Sequence, residues 1–191
     1  MQTSPDSRTA VNRGFRNRSG GAPTVVLVGF MGAGKTSVGR ALGARLGLAF
    51  EDLDDRIQNR EGKTIEQIFL DSGETEFRRV ETAALRDLIS ELRGLPCVLA
   101  LGGGAFVQAE NAALVNEAGL FSVFLDAPVE ELLRRCEVEQ KQRPLRQDPM
   151  QFRELYEKRR LAYMRASLHI ETGGKDVETV AAEVACSLGL G

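Results

Sequence analysis

An α/β fold, with a five-stranded parallel sheet flanked by helices in three layers, is what the sequence predicts. Three observations carry it. Short apolar runs free of period-breaking charge recur from residue 24 onward, the stretches between them space their apolar residues as helices do, and the first run leads through a glycine-rich turn into such a stretch.

The strands expected in order are 24–28 (TVVLV), 48–53, 97–101 (CVLAL), 120–125 (LFSVFL) and 167–170, each a brief run suited to burial inside a parallel sheet. Helices are expected at 35–46, 64–69, 74–92, 109–117, 129–137, 149–164 and 177–188. No internal repeat appears. Residues 1–23 are polar, arginine-bearing and punctuated by Gly, Ser and Pro, and they read as a disordered basic tail ahead of a single domain over 24–191.

Composition narrows the function. A net charge of −2 offers no basic footprint for nucleic acid, so a small-molecule substrate is expected. No run reaches the roughly 18 apolar residues of a membrane span, and the leader lacks the apolar core of a signal peptide. Cys97, Cys136 and Cys186 form neither a disulfide framework nor a zinc cluster, which fits a cytoplasmic protein. His169 reads as a strand residue without a role. Only five of the 25 basic residues are lysines, and the guanidinium that dominates suits forked recognition of carboxylate and phosphate where it is positioned.

Open parallel sheets bind ligands beyond the carboxyl ends of their strands. At those ends stand residues 29–35, 52–55, 102–104 and 126–128. The first, Gly29-Phe30-Met31-Gly32-Ala33-Gly34-Lys35-Thr36, fits G-x-x-x-x-G-K-[ST] between a strand and a helix, the P-loop arrangement. Its glycines let successive backbone N–H groups point at an anion, and the helix that follows adds its positive end. Gly32, Ala33, Gly34, Lys35, Thr36 and Ser37 are therefore expected to bind ATP, with Lys35 reaching the β- and γ-phosphates and Thr36 holding Mg²⁺ directly.

The acceptor is read elsewhere. Asp52-Leu53-Asp54-Asp55 follows the second strand, and a spacing of two in an extended segment points Asp52 and Asp54 to one side. One carboxylate would order the magnesium's water shell while the other takes a substrate hydroxyl; helix capping by Asp54 or Asp55 is the alternative. Farther on come Glu76-Phe77-Arg78-Arg79-Val80-Glu81 and Gly102-Gly103-Gly104, whose glycines let backbone approach a ligand closely. A surface pair of Arg78 with Glu74 or Glu81 is the competing reading.

In order, GFMGAGKTSVGR, EDLDDRI, ETEFRRVE, LALGGGAF, QRPL and EKRRLAY resemble shikimate kinase over essentially residues 25–190. The resemblance implies a three-layer P-loop kinase fold with a mobile lid at about 137–150. It also implies transfer of the γ-phosphoryl group of ATP to the 3-hydroxyl of shikimate, with Mg²⁺ as cofactor, in aromatic amino-acid biosynthesis. By the same resemblance Asp54, Arg78, Gly102, Gly103, Gly104 and Arg159 contact shikimate, Asp52 meets the metal through water, Phe69 and Phe77 line the pocket, and Arg143 closes over the ATP phosphates. Lys35, Asp54 and Arg143 are then the catalytic residues. A monomer is expected, without nucleic-acid or membrane partners. Ala105-Phe106-Val107, a slightly lengthened 137–142 stretch and the turn Thr172-Gly173-Gly174-Lys175 depart from the family pattern, and the second of these loosens the match of Arg135 to the family's adenine-side arginine. The rival readings are a gluconate-type P-loop kinase and a catalytically silent ligand sensor of the same fold.

Overall fold

A computed structural model describes residues 24–92, 95–140 and 148–190. Five strands, β1 (Val25–Val28), β2 (Ala49–Asp52), β3 (Cys97–Ala100), β4 (Phe121–Asp126) and β5 (Leu168–Glu171), form one all-parallel sheet in the order β2-β3-β1-β4-β5. All five lie within a residue or two of their expected positions. β1 and β3 are buried at every residue, which is why they read as continuous apolar runs and not as alternating ones.

Among the described residues seven helices flank the sheet: α1 (Lys35–Leu46), α2 (Leu53–Glu61), α3 (Ile65–Leu92), α4 (Ala109–Glu117), α5 (Val129–Gln140), α6 (Pro149–Tyr163) and α7 (Val177–Ser187). α1 packs along α7, α3 against α4 and α5 against α6. The core joins Val25, Val26 and Leu27 of β1 with Leu42 of α1, Leu85 of α3, Val123 of β4 and Val184 of α7, all without solvent exposure. Each such side chain contributes about 1.5–3 kcal/mol of burial.

Two expectations are corrected. The segment after β2 is not extended beyond Asp52, because Leu53, Asp54 and Asp55 already form the first turn of α2. Asp52, and neither Asp54 nor Asp55, is the N-cap, its carboxylate accepting from the Asp54 N–H at 3.0 Å. The stretches 64–69 and 74–92 run together as α3, with a break at Gly73, whose φ of 78° and ψ of 172° leave the helical region. The tail at 1–23, and residues 141–147 of the expected lid with Arg143, lie outside the described residues.

β1 lies between β3 and β4, so the loops that follow these three strands converge at one end of the sheet. A bond from the Leu101 N–H to the Leu27 carbonyl, 3.1 Å, locks the glycine run after β3 beside the P-loop after β1.

Candidate active site

The P-loop takes its shape from backbone conformations that side chains resist. Gly32 and Gly34 have φ of 76° and 81°, and a Cβ on Gly32 would stand 2.9 Å from both the Leu132 carbonyl oxygen and Cys136 Sγ of α5. Gly34 is the N-cap of α1, so the loop hands over directly to the positive end of a 12-residue helix. Lys35 Nζ donates to the carbonyls of Gly29 and Phe30, each at 3.0 Å. Burial pushes its pKa below the ordinary lysine value, against the pull of Asp54 and Asp52. Ser37, one residue beyond Thr36, is exposed.

Thr36 Oγ1 donates to Asp52 Oδ2 at 2.7 Å. A hydroxyl and a carboxylate thus share one spot at the start of α1. This oxygen pair fits Mg²⁺, which is held by one or two protein oxygens plus phosphates and waters and so does not call for a carboxylate cage. Among the described residues no group of three or more His, Cys, Asp or Glu forms such a cage.

The glycine run 102–104 is the meeting point of the acceptor side. A Cβ on Gly102 would lie 2.5 Å from Asp54 Oδ1 and 3.2 Å from Glu81 Oε1, and one on Gly104 would lie 2.4 Å from Arg78 Nη2. The Gly103 carbonyl accepts from Arg159 Nη1 at 3.4 Å and from the Tyr163 hydroxyl. α2, α3 and α6 thus each send a charged side chain to this one turn.

Arg78 is held on its own helix. Nη1 donates to Glu81 at 2.8 Å and Nη2 to Glu74 at 3.1 Å, while its Cζ stands 5.2 Å from the Phe77 ring centroid and 6.0 Å from that of Phe69. Both partners of the competing surface-pair reading are present, but the Glu81 side chain is 1% exposed, so that pair is not on the surface. A buried Arg–Glu pair fixes a guanidinium in one orientation. Phe69 and Phe77, their ring centroids 4.5 Å apart and tilted by 33°, form an apolar wall beside it.

Two carboxyls here are pushed above their usual range. Asp54 is raised by burial and then by the neighbouring Asp52 charge, with Lys35 pulling the other way. Burial likewise raises Glu81, opposed by Arg78. Tyr163, held at Gly103, is raised by burial to about 12, so its hydroxyl stays protonated and donating.

The structure therefore brings together Lys35, Thr36, Asp52, Asp54, Arg78, Gly102, Gly103, Gly104 and Arg159. Sequence reasoning missed Tyr163, and took Glu81 only as one end of a surface pair with Arg78. Glu81 had a signal: it occupies an apolar position in the buried stripe Phe77, Glu81, Ala84 and Leu88, where a carboxylate needs a partner. Tyr163 follows Arg159 by one helical turn and so shares its face. Arg135 donates to the Gly32 carbonyl at 3.2 Å and to Glu131 at 2.5 Å, which places it against the P-loop.

The family model for shikimate kinase matches residues 31–188. A shikimate kinase of Geobacter metallireducens is 44% identical over 163 residues, covering 84% of this chain and 88% of its own. One from Caulobacter vibrioides is 47% identical over 155 residues, 80% of this chain and 75% of its own. The solved structure of shikimate kinase from Acinetobacter baumannii in complex with shikimate superposes with a TM-score of 0.78 at 40% identity, over 87% of this chain and 93% of the other.

Proposed function

The chain belongs to the shikimate kinase family and is an ATP-dependent phosphotransferase, and we propose that the residues gathered around the P-loop and the glycine run divide its chemistry as follows. The P-loop backbone of Gly32, Ala33 and Gly34, with Lys35, Thr36 and Ser37, binds the phosphates of ATP. Arg78 and Arg159 grip the carboxylate of shikimate, and the backbone of 102–104 lies along the acceptor where side chains would block it. Asp54 accepts a hydrogen bond from the 3-hydroxyl.

The hydroxyl oxygen attacks the γ-phosphorus as the bond to the β–γ bridging oxygen breaks, giving shikimate 3-phosphate and ADP. The hydroxyl proton passes to Asp54, whose raised pKa suits it to take one up. Lys35 meets the negative charge that develops on the transferred group. Arg143 is assigned the closing role of a lid by its Arg-Pro-Leu context alone. Thr36 would hold Mg²⁺ directly and Asp52 through water; when bound, the ion neutralises charge on the β- and γ-phosphate oxygens. The same reading takes the chain as a monomer acting in the cytoplasm. Among the described residues no helix is long and apolar enough to cross a membrane.

The observation that carries this reading is the convergence of Asp54, Arg78 and Arg159, from three helices, on one three-residue turn beside the P-loop. Arg78→Lys tests it, because lysine keeps the charge and loses the planar fork. A charge-assisted contact contributes roughly 1.5–3 kcal/mol, so kcat/KM for shikimate should fall about ten- to a hundredfold while ATP affinity stays put. Unaltered shikimate efficiency, or an equal loss of ATP binding, overturns the assignment of Arg78.

A further inference from the structure

The carboxylate of Asp126 belongs to none of the parts above. It ends β4 with a side chain 9% exposed and takes three donors: Tyr156 Oη at 2.9 Å on one oxygen, Arg160 Nη2 at 2.8 Å and His169 Nε2 at 3.0 Å on the other. Its backbone carbonyl accepts from both the N–H and the hydroxyl of Thr172. A buried carboxylate so fully partnered ties β4 to α6 and to β5 at the end of the sheet where the site lies.

Two of the three side-chain donors, Tyr156 and Arg160, stand one turn apart on α6. Arg159 and Tyr163, likewise one turn apart on the same helix, reach the Gly103 carbonyl. The rings of Phe152 and Tyr156 meet Phe30 of the P-loop edge-on at 5.1 and 5.5 Å. Successive helix residues are separated by a fixed angle of about 100°, so holding Arg160 on Asp126 sets the direction in which Arg159 leaves the helix. A misplacement of about 1 Å in a positioning group costs up to about a hundredfold in rate.

The geometry points to Asp126 as a positioning residue for the acceptor: through Arg160 and Tyr156 it fixes the rotation of α6 and thereby presents Arg159 to the substrate carboxylate. This rests on the reading that Arg159 grips that carboxylate.

The test is steady-state kinetics of the full chain for both substrates, alongside thermal melting, in Asp126→Asn, Arg160→Met, their double variant and Arg159→Ala. Each of the first two should raise KM for shikimate about tenfold and leave KM for ATP within about twofold, and the double variant should be no worse than the worse single one, since both remove the same link. If Asp126→Asn does not fold, Arg160→Met carries the test, its side chain being 37% exposed in the wild type. A lowered melting temperature with unchanged shikimate KM, an equal rise in both KM values, or additive effects in the double variant would each overturn the inference. If Arg159→Ala raises shikimate KM and Asp126→Asn does not, this inference alone fails. If Arg159→Ala leaves shikimate KM unchanged, the acceptor reading fails and this inference with it.

Discussion

Lys35 and Asp54 both carry charge in the proposed chemistry, and burial works against both. The Lys35 pKa is lowered and the Asp54 pKa raised, in each case by burial first. Lys35→Ala should leave a folded protein with kcat reduced by a factor on the order of 10² to 10³, the effect of removing one preorganised charge partner from a transition state; turnover at the wild-type rate would sink the phosphate-cradle mechanism. For Asp54 the linkage has a definite sign. A carboxyl whose folded pKa lies above its ordinary 3.8 contributes stability that is fully present below pH 3.8 and is lost as pH rises through the folded value. Asp54→Asn should therefore abolish most activity yet melt no lower than wild type at pH 7, with the difference between the two closing below pH 3.8. A melting temperature well below wild type at pH 7 would show that Asp54 is a structural residue. The residues of the P-loop, Asp54, Arg78 and Arg159 were legible in the sequence because each sits in an ordered motif. The burial of Glu81, which holds Arg78, was read wrongly, because a carboxylate among charged neighbours at 76–81 reads as a solvated face unless its place in the apolar stripe of the helix is weighed.

The glycine run after β3 acts as an element rather than as three residues, since together its positions meet α2, α3 and α6. Gly104 has φ of −106°, which alanine accepts, so the backbone does not object to a methyl there. The Arg78 guanidinium does, at 2.4–2.7 Å from the added Cβ. As the far end of a flexible side chain, 20% exposed, it can shift by a few tenths of an ångström to an ångström while staying within reach of Glu74 and Glu81, at little expense to the fold. Gly104→Ala should thus retain its melting temperature within a few degrees while KM for shikimate rises about tenfold or more, a split read from melting curves and kinetics of the same preparation. A normal KM would show that Arg78 need not occupy that spot. At this scale the sequence was weakest over α2. Its residues 53–61, LDDRIQNRE, bury only Leu53 and Ile57 and show little apolar periodicity, so the helix depends on its ends: the Asp52 cap, Asp54 and Asp55 in the first turn, and Gly62 at the C-cap with φ of 64°. The long α3 was legible as two pieces because Gly73 breaks its dihedrals without ending its run.

For the whole molecule, the alternation of apolar runs and amphipathic stretches was enough to read the fold class, and the strand positions followed to within a residue or two. The order β2-β3-β1-β4-β5 was beyond that reading, because pairing between strands of four to six residues is decided by contacts far apart in the chain. Yet that order brings the P-loop, the cap of α2, the glycine run and α6 to one end of the sheet, and so joins the proposed phosphate cradle to the proposed carboxylate grip. In the proposed reaction this joint site phosphorylates the 3-hydroxyl of shikimate from ATP. Incubation of the purified full chain with ATP, Mg²⁺ and, in parallel, shikimate, gluconate or a nucleoside monophosphate, with products followed by phosphorus NMR, tests it most directly. The expected result is one ADP released per shikimate 3-phosphate formed, with no acceptor-dependent turnover of the other two; ADP release that shikimate does not stimulate, or a phosphate carried by gluconate or the nucleotide instead, would contradict it.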